Sequence, residues 1–456
     1  MSSRATTGGR RRRATAAVCV AMMLALAACE SDGGNNSPAP APSPSTSQDD
    51  PVQLTLGVNG TEDELTAYTA VADIFDSLYD PAEVDVENWD SSAEMMSAIR
   101  DGKDVPDVFL ASRDDLATLK AEKLIQPVDA LLDARGVDFG DGYSRDALQA
   151  FSADDRLQCM PYGISPMVIY YNTRLVDFDQ MEQRGLLFPA EREAWTFEMF
   201  TAAAQYASRS SEGTKGFYIE PGVRTFAPFV YSGGGKLFDD EDAPTSLALS
   251  DGDSTDALER TLEVLRRPQL TLSENQLAKR SPLEWFKEGK LGMIAGYRRL
   301  VPGLRQVHGL DFDVISMPIL DGQATSGDVT GLCLSADAAS TPAGADLMVH
   351  MLSTPSVDRV VRTGYLVPAN SEVALSEEFL QPGRLPDHSD VFNNSVRAIQ
   401  IPPLLSVWPQ LERAVRPELH ALVEVPVLDD LEERLAEIDE ESRPVLESDT
   451  ATPGDE

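Results

Sequence analysis

The amino-acid sequence predicts an α/β fold in two domains, and three observations lead to this prediction. Strand and helix signals alternate over residues 53–122, which is typical of α/β proteins. Hydrophobic residues make up 42% of the chain. Roughly 400 residues follow the polar N-terminal segment, enough for two cores. The extended apolar run over 159–172 is broken by Pro161, Gly163 and Pro166, which indicates a crossing strand or hinge.

The first domain begins with strands and helices in alternation. Strands are predicted over 53–58, 83–88 and 106–110, and helices over 62–78, 92–101 and 114–122. The first helix carries apolar residues at helical spacing: Leu65, Tyr68, Val71, Ala72 and Phe75. This order predicts a mostly parallel sheet.

Helices and short strands continue after residue 172. Helices are predicted over 195–208, 254–267, 283–290, 342–352, 410–423 and 427–443, and strands over 291–295, 312–317 and 329–335. Thr341 is expected to cap the helix that begins at Pro342. Residues 446–456 are expected to form a disordered acidic tail.

The glycine-rich segment at 231–235 has two interpretations. Tyr231, Gly233 and Gly234 belong either to a loop that lets the backbone approach a ligand closely or to a plain turn that ends a helix. Both remain open at this point.

The N-terminus is predicted to be a signal peptide over residues 1–28. Arg4 and the arginines at 10–13 form a basic start, and the apolar stretch after them is shorter than the roughly 20 residues that span a bilayer. Leu26-Ala27-Ala28-Cys29 resembles the lipobox of bacterial lipoproteins, which implies a lipid on Cys29 and a protein held at the outer face of the cell membrane. The general secretory route is expected, although the arginine run also permits the twin-arginine route.

The next segment, residues 29–52, is predicted to be a flexible linker because it is rich in Gly, Asn, Ser, Pro and Asp. The whole chain carries a net charge of −37, and loss of the five signal-peptide arginines gives −37 − 5 = −42. This acidity argues against nucleic acid or anionic lipid as the main partner, so contact with the membrane is expected through the lipid anchor only.

Cysteine and histidine content limits the chemistry. Export permits a disulfide between Cys159 and Cys333, and two separate thiols are the equally open alternative. The four histidines, at 308, 350, 388 and 420, lack metal-ligand spacing, so neither a metal site nor a cofactor is expected.

Five segments, in order, resemble the extracellular solute-binding proteins of bacterial ABC importers, in the branch that includes the maltose-binding protein. They are the proline-tyrosine crossover at 160–172, the tryptophan-led helix start at 194–200, the glycine loop at 231–238, the pattern Phe286-Lys287-Glu288-Gly289-Lys290-Leu291-Gly292-Met293, and the last crossover Gly364-Tyr365-Leu366-Val367-Pro368. The resemblance covers about residues 53–440.

The resemblance implies a two-lobed periplasmic-binding-protein-like fold of type II, with lobes joined by crossing hinge strands. One lobe is expected to comprise residues 53–162 and 319–366, and the other residues 163–318 and 367–445. The solute would lie between them, and closure would occur about the hinge.

Ligand-binding residues are expected beyond the carboxyl ends of strands. In the first lobe this rule gives Asn59, Gly60, Trp89, Asp90, Ser112 and Arg113. On the crossovers and in the second lobe it gives Tyr162, Tyr231, Gly233, Gly234, Gly296, Tyr297, Arg298, Tyr365 and Trp408. Aromatic rings and planar polar groups suit a sugar, whose apolar face stacks while its hydroxyls form hydrogen bonds.

Alternatives remain for the strongest of these residues. Trp89 could instead close the edge of the core, with Asp90 capping the helix near Ser92. Tyr297 and Arg298 could be surface residues whose apolar parts lie along the protein. A core position is equally open for Trp408. The two other tryptophans, Trp195 and Trp285, are interpreted as structural.

The sequence therefore predicts a monomeric lipoprotein that captures a sugar or oligosaccharide for an ABC permease and performs no covalent chemistry. One alternative is an exported carbohydrate-active enzyme, which would need two carboxylates facing the scissile bond. With 75 acidic residues, chance pairs of carboxylates abound and none is diagnostic. Another alternative is a solute-binding lipoprotein that feeds a sensor instead of a permease.

Overall fold

A computed structural model describes residues 51–79, 82–140, 142–190, 194–424 and 430–450. Contacts group residues 50–456 into one compact unit. The predicted signal peptide, the lipid site at Cys29 and nearly all of the predicted linker lie outside the described residues. The fold below is that of this unit.

Thirteen strands occur in the described residues. In chain order they are β1 (Val52–Val58), β2 (Ala82–Asn88), β3 (Val108–Ser112), β4 (Ile125–Gln126), β5 (Ser152–Ala153), β6 (Arg156–Leu157), β7 (Met160–Pro166), β8 (Val168–Asn172), β9 (Lys215–Tyr218), β10 (Leu291–Gly296), β11 (Phe312–Ile315), β12 (Thr325–Ser335) and β13 (Ile399–Gln400).

The same part of the chain forms eighteen α-helices. They are α1 (Glu62–Leu78), α2 (Ser92–Arg100), α3 (Leu116–Ala121), α4 (Asp129–Asp133), α5 (Arg145–Ala150), α6 (Phe178–Gln183), α7 (Phe197–Ala207), α8 (Val223–Ser232), α9 (Gly252–Leu265), α10 (Glu274–Leu277), α11 (Pro282–Lys287), α12 (Leu300–Arg305), α13 (Thr341–Leu352), α14 (Thr354–Val361), α15 (Glu377–Leu380), α16 (Asp390–Ser395), α17 (Trp408–Glu424) and α18 (Leu431–Thr450). Short 3-10 helices cover Arg113–Asp115, Val373–Leu375 and Val396–Ala398.

The first sheet has seven strands, with β13, β12, β3, β1 and β2 in spatial order and with β4 and β7 also paired to β12. The strands β1, β2 and β3 are parallel, as predicted. Because β12 runs antiparallel to β3, β4 and β7, the sheet as a whole is mixed. The three parallel strands bring their carboxyl ends to one edge.

The second sheet has four strands in the order β11, β8, β10, β9. Its side chains alternate between two hydrophobic cores, since neighbouring residues on a strand face opposite sides of a sheet. Ile169, Phe217, Met293 and Ile315 pack in a cluster that we call core 2. Their chain neighbours Tyr170, Tyr218, Ile294 and Val314 pack in core 1, which continues beneath the first sheet. Core 1 therefore joins the first sheet to one face of the second.

The chain passes between the two sheets in the extended run around Met167. β7 pairs with β12 in the first sheet, and β8 pairs with β10 and β11 in the second. The predicted crossing strand is confirmed. The segment before Pro368 lies beside β7, where the Ile164 amide donates to the Val367 carbonyl at 2.9 Å.

Cys159 and Cys333 form a disulfide with Cα atoms 4.4 Å apart. Cys159 directly precedes β7, and Cys333 lies on β12, so the bond crosses a pair of adjacent antiparallel strands. Of the two alternatives that the sequence left open, the structure has the disulfide.

Two expectations about helix ends were wrong. Ser340, and not Thr341, caps α13, because the Ser340 hydroxyl accepts from the Ala343 amide. α18 extends to Thr450, so residues 446–450 are helical and not part of a disordered tail. The reason is that Leu435, Ile438 and Leu446 lie on one helix face and are buried in core 2.

None of the helices in the described part of the chain is both long and apolar enough to cross a membrane.

Candidate functional site

The carboxyl edge of the first sheet brings together the residues predicted there. Asn59 and Gly60 follow β1, Trp89 and Asp90 follow β2, and Ser112 ends β3. The Gly60 amide donates to the Asn88 side chain at 3.1 Å, which fixes two of these strand ends to each other. β2 is two strands away from β3, so Trp89 lies roughly 10 Å from Ser112 along the edge.

Trp89 is half-buried and packs against core 1, while Asp90 is exposed. Asp90 does not cap the next helix. Ser91 caps α2, because its hydroxyl accepts from the Glu94 amide at 3.2 Å. The Asp90 carboxylate therefore remains available to a ligand. The Trp89 side chain is partly in contact with core 1 and partly exposed to solvent.

A small cavity lies beside the ends of β3 and β12. Its volume is about 20 Å³, room for about one water molecule and far less than a saccharide needs. The cavity is lined by Ser112, Arg113, Asp114, Arg224, Gly327, Asp328, Val329, Ile401 and Pro402.

Two ion pairs connect the first sheet to other elements near the cavity. The Arg224 guanidinium, from α8, lies 2.7 Å from the Asp114 carboxylate, which follows β3. Arg299, just after β10, pairs with Asp328 on β12. Each pair thus joins an arginine to a carboxylate that lines the cavity.

Arg113 faces the same cavity without a carboxylate of its own. Its Nη1 donates to the Pro403 carbonyl over a long 3.5 Å contact, and its buried Nε has no hydrogen-bond partner among the described residues. Burial lowers the pKa of Arg113 to about 10, the Asp114 carboxylate raises it, and Arg224 lowers it further. The site therefore holds a half-buried guanidinium that is incompletely bonded.

Two predicted aromatic residues lie close to this cavity. The Arg224 guanidinium stacks on Trp408 at 4.3 Å from the ring centroid, and Arg299 lies 5.9 Å from the Tyr297 ring. Trp408 is 5% exposed and packs in core 2 against Phe238, while its buried Nε1 has no hydrogen-bond partner among the described residues. Burial raises the pKa of Tyr297 to about 12.

Glu412 supports the position of Arg224. Its carboxylate accepts from the Val223 and Arg224 amides at the start of α8, a helix whose N-cap residue, Gly222, has no side chain to do so. Burial raises the pKa of Glu412, and these amides and the nearby Arg224 guanidinium oppose that rise.

Arg298 does not line the cavity, contrary to the sequence prediction. It is fully buried, and it donates to the carbonyls of Gly364 (3.3 Å) and Phe379 (2.9 Å). Gly296, which ends β10, packs against Leu300. The alternative of a surface position for Arg298 is also wrong, because β10 delivers the side chain into core 1.

The remaining predicted residues lie apart from the cavity walls. Tyr162 is 2% exposed and packs against Tyr68 in core 1, with ring centroids 6.3 Å apart. Tyr231 lies within α8, and Gly233 and Gly234 form the turn that ends it, so the helix-ending interpretation of this segment is correct. Tyr365 is half-buried near the last crossing segment.

Sequence reasoning missed the three other charged residues of the cavity wall. Asp114 follows the predicted Arg113 directly and could have been found by extending the strand-end rule by one residue. Arg224 and Asp328 gave no local signal, because they come from the first turn of a helix and from within a strand. Only the packing of α8 onto β12 brings them together.

The sequence profile of the family described as bacterial extracellular solute-binding protein matches residues 70–386. The chain belongs to this family. Members are extracellular, so this protein acts outside the cytoplasm. Comparison of the sequence with curated proteins finds no match.

Solved structures agree with the fold of this family of solute-binding proteins. An ABC substrate-binding protein of Listeria monocytogenes in complex with cycloalternan superposes with a TM-score of 0.72 at 17% identity, covering 87% of this chain and 100% of that chain. The GacH receptor of Streptomyces glaucescens, solved unliganded and with acarbose, gives 0.68 at 17% identity over 87% and 98%. The maltotriose-binding protein of Thermus thermophilus gives 0.64 at 15% identity over 86% and 100%.

These matches confirm the predicted α/β fold, two-lobed and of type II. At identities of 15–17% the solved structures show the fold alone. They do not identify the solute that this chain binds.

Proposed function

We propose that this solute-binding protein captures a sugar or oligosaccharide for an ABC importer, in the cleft that contains the Arg224–Asp114 and Arg299–Asp328 ion pairs. The observation that carries the proposal is the placement of carboxylates and guanidiniums around one cavity, with the Trp408 ring stacked on Arg224 beside it. Similar folds bind cycloalternan, acarbose and maltotriose, which supports a carbohydrate.

The chemistry of the walls suits a polyol with an apolar face. Carboxylates accept hydrogen bonds from hydroxyl groups, and guanidiniums donate to hydroxyl oxygens. Trp408 and Tyr297 offer ring surfaces next to these polar groups, as stacking on a pyranose requires. In the present arrangement the Trp408 ring is covered by Arg224, so a stacked sugar would displace that guanidinium.

Entry of the solute would require the walls to separate, because a cavity of about 20 Å³ is far smaller than a ligand pocket of several hundred Å³. Separation breaks the two ion pairs and releases Asp114 and Asp328 to bind hydroxyls. The crossing segments at 160–172 and 364–368 are the proposed hinge. The lobe boundaries, 53–162 with 319–366 and 163–318 with 367–445, remain part of this proposal.

Attachment and partners complete the proposal. We infer cleavage after Ala28, a lipid on Cys29, and a spacer to residue 52 that holds a monomer at the outer face of the membrane. The solute-loaded protein would dock on a permease, and it would perform no covalent chemistry. Radiolabelled palmitate incorporation, lost in Cys29→Ala, tests the anchor.

A thermal-shift screen with neutral oligosaccharides, monosaccharides, amino acids and polyamines tests the solute class, because a ligand that binds only the folded state raises the melting temperature. We expect carbohydrates to stabilise the protein. Asp328→Asn should weaken binding about tenfold or more. Asp321→Asn is the matched control, since Asp321 pairs with Arg260 on the surface and does not line the cavity. Stabilisation by amino acids or polyamines alone would refute the carbohydrate assignment.

A further inference from the structure

The three arginines at the cavity differ in their partners. Arg224 pairs with Asp114, and Arg299 pairs with Asp328. Arg113 forms no ion pair within the described residues, and it has only the long contact to the Pro403 carbonyl. The two carboxylates that line the cavity, Asp114 and Asp328, are thus each paired with another arginine, and Arg113 is left without one.

The other carboxylates near the cavity are already engaged. Glu412 accepts from the Val223 and Arg224 amides at the start of α8. Glu64 accepts from the amide and the hydroxyl of Thr61 in the capping box of α1. Asp115 accepts from the Ser92 hydroxyl at 3.2 Å. None of these contacts involves Arg113.

Partial burial makes the missing hydrogen bond at Arg113 costly. The Arg113 side chain lines the cavity, and its Nε is enclosed without a hydrogen-bond acceptor among the described residues. A buried guanidinium is stabilised best by an anion, which accepts charge-assisted hydrogen bonds. The lowered pKa of Arg113 is a consequence of the same desolvation.

From this geometry we infer that the solute carries an anionic group that pairs with Arg113, which makes it an anionic saccharide with a carboxylate or a phosphate. This inference rests on the proposed carbohydrate function and narrows it. Arg113 acts as the specificity-determining residue.

Matched probes test the inference by isothermal titration calorimetry on the purified chain. Maltotriose and tri-galacturonate compare neutral and carboxylated oligomers, and glucose, glucuronate and glucose 6-phosphate separate carboxylate from phosphate. We expect the anionic probe of the correct type to bind about tenfold or more tightly than its neutral counterpart. This preference should fall with added salt more steeply than the binding of neutral probes.

Variants assign the preference to Arg113. Arg113→Gln should remove most of the discrimination, and Arg113→Lys should retain part of it through its charge. Arg100→Gln is the control. Arg100 ends α2 and forms an exposed ion pair with Glu122. Melting temperatures without ligand establish that each variant is folded.

The outcomes separate this inference from the proposed function. Neutral probes that bind as tightly as anionic ones would overturn the inference and leave the carbohydrate function standing. An anionic preference that persists in folded Arg113→Gln would overturn the role of Arg113. Binding of amino acids or polyamines alone, or of none of the saccharides, would overturn both.

Discussion

The guanidinium carbon of Arg298 lies 4.3 Å from the centroid of the Phe379 ring, in the interior of the protein. The same side chain contacts the Phe392 ring, and its backbone amide donates to the Ser165 hydroxyl on β7. One buried arginine therefore ties the end of β10 to a crossing strand and to two helices. Its neighbour Arg299 is exposed and pairs with Asp328, a residue of the cavity wall.

This pair of adjacent arginines gives a test of buried against exposed charge. Arg298→Ala should lower the free energy of unfolding by about 3–5 kcal/mol, because it leaves a cavity and two carbonyls without donors. Arg299→Ala should cost about 1 kcal/mol or less, since its ion pair is largely solvated. Urea unfolding measures both, and equal losses would show that the Arg298 contacts contribute little.

Asp115 predicts a pH dependence of stability. Burial raises its pKa to about 6, above the ordinary value near 3.8. The folded state therefore holds a proton that the unfolded state has lost between about pH 4 and 6, so stability falls as the pH rises through this window. Asp115→Asn should raise the free energy of unfolding by about 1–3 kcal/mol at pH 7, with no gain below about pH 4. An equal gain at pH 4 and pH 7 would contradict this explanation.

Gly216 tests the contact between β9 and α7. A Cβ atom at this position would overlap the Ala204 carbonyl, which belongs to the helix backbone and cannot rotate away. Gly216→Ala should therefore cost about 1–3 kcal/mol. Gly303→Ala, in α12, is the control, because open space surrounds it and alanine favours helix by up to about 1 kcal/mol. Thermal unfolding should move in opposite directions for the two variants.

Trp89 tests the outer part of the proposed cleft. Trp89→Ala should weaken saccharide binding by about 3- to 10-fold through loss of stacking. Its cost in stability should be less than the about 3–5 kcal/mol expected for a fully buried tryptophan, because Trp89 is only half-buried. Calorimetric titration and urea unfolding on the same variant separate the effects. A stability cost of about 3–5 kcal/mol, together with unchanged saccharide affinity, would show that Trp89 is a core residue.

The early part of the fold could be predicted closely because its signals are local. The helix Glu62–Leu78 was predicted from its apolar spacing, with its start at Glu62 and its end at about Leu78. The strand ends that carry Asn59, Trp89 and Ser112 follow from the parallel order of β1, β2 and β3. The end of α18 escaped prediction, because its acidic composition hides the single buried face that holds Leu446.

The cavity was predictable only in part, for a physical reason. Arg113 follows a strand and obeys the strand-end rule, and Trp408 carries an aromatic signal. Arg224 and Asp328 line the cavity because α8 packs against β12. At this contact the Ser326 hydroxyl donates to the Arg224 carbonyl at 2.6 Å. The prediction for Arg298 was wrong because the sequence does not show whether a charged side chain that follows a strand points to solvent or into the interior.

The disulfide between Cys159 and Cys333 spans 174 positions of sequence and encloses the whole second sheet in a covalent loop. A protease that cuts one peptide bond inside this loop would leave two fragments still linked through sulfur. Such a nicked protein would migrate as one band on a non-reducing gel and as two after reduction. An exported protein exposed to extracellular proteases thus keeps its two halves together after a single cleavage in this region.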